Sequence, residues 1–294
     1  MKRLAMLFVC MLLFASTGRQ AVSANMAAPA EADIGSAVTF EKNDSISVLS
    51  EVLDITVSGP QAAITATYRM KNTADIEVFT EAMFLSPDID FSSPRVTVNG
   101  RETDFEAESY ALRYDTEIKT DDWRYVVLVS GSAAGEAERE VDSITFDMSF
   151  APGEEYDVVV SYLYRLGGYS DYDYDAKEGL IEYYLMPAAL WKDFKSLTVN
   201  LYLDEDMPVI KESSVEFEKT GERAYRFVSD TLPGTELEIV IDENWFQNIL
   251  STLRSPYLPM TLLMFLPFVL AAAAVIALLL WAGKKRKRSD GKPE

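Results

Sequence analysis

Between residues 46 and 241, apolar and polar side chains alternate in short runs, punctuated by Gly, Pro, Asn and Asp. A repeat of two places successive side chains on opposite faces of an extended chain, so the pattern predicts β-strands half buried on one face. The expected strands are Ile46–Val57, Ala62–Lys71, Glu77–Leu85, Arg95–Val98 and Tyr125–Val129. They continue with Ser143–Phe150, Tyr156–Arg165, Leu180–Leu185, Leu197–Leu203, Val215–Glu218, Ala224–Val228 and Glu236–Ile241. Asn99-Gly100 directly follows Val96-Thr97-Val98 and predicts a two-residue hairpin turn, because both positions tolerate positive φ. Two stretches change to helical spacing. Pro187–Phe194 predicts a short turn carrying Trp191, and Glu243–Arg254 gathers Trp245, Phe246, Ile249, Leu250 and Leu253 on one face, with Asp242 placed as its cap.

Two longer apolar runs lie outside this pattern. Near the N-terminus, Lys2 and Arg3 precede the apolar stretch Leu4–Ala15, and Val22-Ser23-Ala24 places small residues where a signal peptidase cuts. This run is too short to span a bilayer, so residues 1–24 are expected to be a cleaved signal peptide. Near the C-terminus, Tyr257–Trp281 is 25 residues without a charge, bracketed by aromatic residues and followed by Lys284-Lys285-Arg286-Lys287-Arg288. That length crosses a hydrocarbon core of about 30 Å, and a basic cluster stays on the cytoplasmic side. The expected topology is single-pass in the cell membrane, N-terminus outside and C-terminus cytoplasmic.

The fold class expected is mainly β, with one or two antiparallel β-sandwich units in the ectodomain, a juxtamembrane helix and a single C-terminal transmembrane helix. After the signal, residues 25–36 are small and Ala-rich and read as a flexible lead-in. Residues 37–166 make a β-sandwich, and 167–242 are either a second β-unit or part of one larger sandwich. Residues 243–256 form the amphipathic helix, whose aromatic face rests in the membrane interface or closes the sandwich. Residues 257–282 span the membrane, and 283–294 are a basic cytosolic tail.

Charge follows the same division. Of 27 basic and 47 acidic residues, 3 basic lie in 1–24, and 6 basic and 2 acidic in 257–294. That leaves 18 basic and 45 acidic residues in 25–256, a net charge of −27. Such a surface repels nucleic acid and anionic headgroups. The chain has no His, and its one cysteine, Cys10, lies in the signal segment. Ser-His-Asp and Cys-His nucleophile systems, and zinc sites built from His and Cys, are thereby excluded. No catalytic motif stands out, so an enzyme is not expected, although 45 acids leave a glycan-active carboxylate pair open.

Two resemblances follow from particular residues. Val57-Ser58-Gly59, Ala62–Tyr68, Asn72, Glu81, Phe84, Pro87 and Gly100-Arg101 occur in an order that resembles VIT-type domains and related bacterial secreted β-domains. The resemblance covers residues 48–105, and Leu85 and Ser86 interrupt the family's Phe-Pro pair. It implies a β-sandwich with an adhesive or scaffolding role. Leu258-Pro259-Met260-Thr261, the apolar run and the basic tail resemble the Leu-Pro-x-Thr-Gly sorting signal of Gram-positive surface proteins. Here Leu262 replaces the glycine at the scissile bond, which favours a plain membrane anchor.

The most distinctive local chemistry is Gly167-Gly168-Tyr169-Ser170-Asp171-Tyr172-Asp173-Tyr174-Asp175. Tyr169, Tyr172 and Tyr174 on a Gly/Ser/Asp loop suit recognition of a protein or glycan, since Tyr gives contact area at low entropic cost. Asp171, Asp173 and Asp175 alternate as in calcium loops, with Glu182 at the twelfth position, so calcium is the one candidate cofactor. Ala176 replaces the turn glycine of an EF-hand, which leaves a solvated acidic loop as the alternative. Tyr162, Tyr164, Tyr183 and Tyr184 read as packing residues on half-buried strand faces. The function expected is a membrane-anchored extracellular binding module. The alternatives are a structural or signalling subunit of a membrane complex and a glycan-active enzyme.

Overall fold

The computed structural model describes residues 26–27, 29–30, 37–40, 43–112, 128–130, 139–172 and 174–268. The expected signal peptide, the second half of the expected membrane span and the basic tail lie outside them. The described chain divides into two compact units, one reaching to Tyr169 and resuming at Lys177–Asp242, the other comprising Ser170–Ala176 and the chain from Glu243 onward.

Three sheets build the first unit. The longest strands pair locally: β4 (Ile46–Ser58) and β5 (Gln61–Asn72) form a hairpin whose tight turn places Gly59 at φ +56°. β12 (Glu155–Arg165) pairs antiparallel along the whole of β5. Beyond β12 come β7 (Arg95–Val98) and β8 (Arg101–Glu102), joined by the expected turn, with Asn99 at φ +50° and Gly100 at +73°. On its other side, β4 pairs with β14 (Leu197–Tyr202), followed by β17 (Ala224–Ser229) and β16 (Glu218–Lys219). The β4–β14 pairing is parallel, a departure from the antiparallel expectation. The chain enters it through a 3-10 turn at Met186–Leu190, and bridges Asn43–Trp191 and Val48–Phe194 lay the following segment alongside β4.

The second sheet runs in the order β1 (Met26–Ala27), β6 (Val78–Ser86), β11 (Arg139–Phe150), β9 (Glu106–Leu112), β10 (Leu128–Ser130), β3 (Ala37–Phe40) and β2 (Pro29–Ala30). Two of these strands lie in the segment read as a flexible lead-in. Pairing with β6 and β3 organises residues whose own propensity is weak. The third sheet is β13 (Glu178–Tyr183), β18 (Leu237–Asp242) and β15 (Val209–Ser213). Lys211 clamps it by ion pairs to Glu178 and, at 3.3 Å, to Asp242.

The inner faces of all three sheets share one hydrophobic core, from Ile46 through Phe84, Ile144 and Tyr162 to Ile239. The Phe84 ring meets Tyr162 edge-on at 5.4 Å and Tyr183 at 6.1 Å, so each sheet contributes an aromatic ring to one contact. Residues 167–242 therefore give strands to the eight-stranded sheet and to this common core.

In the second unit, α1 (Trp245–Arg254) is capped by Asn244, whose side chain accepts the Phe246 and Gln247 N–H groups at 3.0 Å each. Gln247 Oε1 accepts the Asn244 N–H in return, completing a capping box. The expected cap, Asp242, instead ends β18. Pro256 disfavours helical backbone at the preceding residue, and Ser255 at φ −60°, ψ 125° ends α1. α2 (Leu258–Phe268) then starts in a new direction, 98° from α1. No single described helix is long and apolar enough to cross a membrane, whereas α1 and α2 together meet the length and composition for a bent span.

Candidate functional site

The loop between β12 and β13 is closed at its base by reciprocal backbone bonds, Gly167 N–H to Leu180 O at 3.0 Å and Leu180 N–H to Gly167 O at 2.8 Å. Gly168, at φ +73°, turns the chain outward. Beyond this base, the expected recognition tyrosines are divided between the two units. Tyr169 packs half-buried against the core, and the Lys177 ammonium lies 4.9 Å from its ring centre. Tyr172 and Tyr174 belong to the second unit, where their rings stack at 5.3 Å with 20° between planes.

Local bonds hold that stack in place. Ser170 Oγ donates to Asp175 Oδ2 at 2.8 Å, and the Asp175 N–H donates to the Tyr172 carbonyl at 3.1 Å, closing a turn. Tyr174 also meets Tyr257 edge-on at 6.4 Å. Desolvation, then the neighbouring Tyr257 and Asp175, raises the Tyr174 hydroxyl above its ordinary pKa. Tyr172 is 62% exposed, so a broad aromatic surface faces water from a braced loop.

Asp171 is exposed, Asp175 accepts from Ser170, and Asp173 lies outside the described residues. Glu182 is half-buried on β13, directly opposite Glu238, and its N–H donates to the Tyr164 hydroxyl at 3.3 Å. Among the described residues, no three His, Cys, Asp or Glu side chains group closely enough to hold a metal ion.

A second polar cluster lies in the core. Glu51 is completely buried, and its Oε1 accepts from the Tyr183 hydroxyl at 2.7 Å; the Tyr183 and Tyr68 hydroxyls are 2.8 Å apart. Tyr162 reaches Ser86 Oγ at 2.9 Å. Burial first, and then the Glu51 charge, pushes the Tyr68 and Tyr183 hydroxyls well above their ordinary pKa. Burial raises Tyr162 and Tyr164 in the same direction. Glu51, Tyr68 and Tyr183 present no surface to solvent, so this group joins sheets and does not meet a ligand.

The signal for Glu51 was a change of phase. Ile46 and Val48 point inward; a bulge between Val48 and Ser50 resets the count, and Leu53, Ile55 and Val57 then point inward. Counting back from Leu53 in twos places Glu51 in the core.

Comparison with known proteins is sparse in sequence. No protein-family model matches the chain, and no curated protein matches it. Among solved structures, a provisionally named nutrient-binding protein from Legionella pneumophila aligns with a TM-score of 0.49 and 14% identity, covering 80% of this chain and 77% of that one. An M1 zinc metallopeptidase from Deinococcus radiodurans aligns at TM-score 0.31 and 11% identity over 69% of this chain. Yeast LTA4 hydrolase aligns at 0.34 and 12% over 68%. This chain covers 43% and 29% of those two enzymes, respectively. Likeness of this degree assigns neither ligand nor activity.

Proposed function

We propose that the chain is a membrane-anchored extracellular β-domain protein of the binding type, engaging a protein or glycan at the cell surface through the loop 170–176. The single observation that carries this reading is the Tyr172–Tyr174 stack, outward-facing and fixed by the Ser170–Asp175 bond. Pre-ordered aromatic surface binds with little further loss of side-chain freedom. The anchor is the uncharged run from Tyr257, with the basic cluster at 284–288 on the cytoplasmic side. The β-sandwich and the adhesive or scaffolding role implied by the VIT-type resemblance accord with this reading. We read the chain as non-catalytic, because it lacks His and mature Cys.

A second reading, a structural or signalling subunit of a membrane complex, is favoured by α2. Its Met260, Leu262, Leu263, Met264, Phe265 and Phe268 are exposed on every side, as suits a helix packed in lipid or against another membrane protein.

The test compares the full chain with a variant in which residues 169–175 are replaced by Gly and Ser. Both are presented to a surface extract with calcium and with chelator. A partner held by the native chain and lost by the variant supports the loop, and sensitivity to chelator adds a metal. Equal retention by both contradicts the loop reading and favours the helix.

A further inference from the structure

α1 turns Trp245, Phe246, Ile249 and Leu253 to solvent, at 76, 57, 47 and 60% exposure. At the helical repeat these four fall within an arc of about 100°. The opposite side is satisfied locally: Ser251 is buried, and its single O–H lies within hydrogen-bond reach of the Glu243 carboxylate and the Gln247 carbonyl oxygen. A ten-residue helix is marginal in water on its own, and its large apolar side chains gain stability when covered. This helix has its cap and its polar side complete, and its apolar side uncovered among the described residues.

Chain continuity identifies the cover. After Ser255 and Pro256, the chain enters the uncharged run from Tyr257, and α2 leaves at 98° to α1. A segment entering a bilayer along its normal therefore holds α1 close to the plane of the surface. We propose that α1 lies in the headgroup–acyl boundary of the outer leaflet with Trp245, Phe246, Ile249 and Leu253 inserted. This rests on the reading of residues 257–282 as a membrane span. Arg254 is the only cation on the helix and the ectodomain carries −27, so insertion is apolar and suits a zwitterionic surface rather than an anionic one. Tyr174 packs against Tyr257, so the loop tyrosines meet their partner beside the bilayer.

The experiment uses residues 25–294, the chain after signal removal, in phosphatidylcholine vesicles. The chain from residue 25 onward carries no cysteine, so Ile249→Cys, or Asn248→Cys as a control off the apolar arc, alone carries a polarity-sensitive fluorophore. Vesicle flotation tests the anchor separately. The expected result is a floating chain whose label at 249 is blue-shifted and quenched by headgroup-region quencher at least five-fold more strongly than at 248. A floating chain with a water-like label at 249 overturns the docking and leaves the anchor standing. A label shielded from water yet untouched by the lipid quencher assigns the face to a protein partner or second copy, and also overturns it. A chain that does not float ends both readings.

Discussion

Tyr68 and Tyr183 meet hydroxyl to hydroxyl between two sheets, while Tyr172 and Tyr174 meet face to face on a loop, with Tyr172 open to water. In the core the ring supplies buried area and the hydroxyl must find a partner, because an unpaired polar group there costs about 1–3 kcal/mol. Glu51 deepens that demand, since an isolated carboxylate is far costlier to bury than a phenol. On the loop the demand is reversed. The Tyr172 ring keeps most of its surface in water, as apolar area that a partner can cover. Burial, rather than residue type, decides whether a tyrosine braces the fold or remains available for contact.

The largest effect that breaks this contrast is in the core. Tyr183→Phe removes one donor to Glu51 and the link to Tyr68, and should destabilise the first unit by about 2 kcal/mol in urea unfolding. Tyr172→Phe should change the same unfolding free energy by less than about 0.5 kcal/mol. Equal effects would dissolve the distinction.

Alkali sharpens it next. Tyr68, Tyr162, Tyr164 and Tyr183 all have folded-state pKa values raised by burial. Their contribution to stability is complete below the unfolded tyrosine pKa of about 10 and is lost as pH rises past it, because the unfolded chain ionises first. Unfolding midpoints measured against pH should fall steeply above about 10, less so in Tyr183→Phe.

The alternation made the long strands legible, β5 and β12 among them, because each buries every second residue and ends at a turn residue. The Asn99-Gly100 turn was legible for the same local reason. What escaped depends on distant partners. β14 runs parallel to β4, 146 residues away by the Asn200–Asp54 side-chain bond, and no local period encodes that choice. β9 and β15 were missed since each is patterned weakly and held by its neighbours. At the candidate site, the loop was visible as composition, but not the division of Tyr169 from Tyr172 and Tyr174. Asp242 was a plausible cap by type; Asn244 won because Gln247 three residues later closes the box.

A smaller effect separates the two units. Asn244→Ala should cost α1 about 1 kcal/mol, seen as faster amide exchange at Phe246 and Gln247, with the β-sheet amides unchanged. The smallest change in stability goes with the largest expected change in binding. Tyr172→Ser with Tyr174→Ser should leave the unfolding free energy of the first unit within about 0.5 kcal/mol while reducing partner retention at least ten-fold.

The most direct measurement is tyrosine nitration of the folded full chain, mapped by mass spectrometry, with and without its captured partner. Tyr172 should be modified first and protected by the partner, while Tyr68, Tyr162, Tyr164 and Tyr183 stay unmodified until the protein unfolds. Modification of Tyr183 in the folded chain, or a Tyr172 indifferent to the partner, would contradict the account.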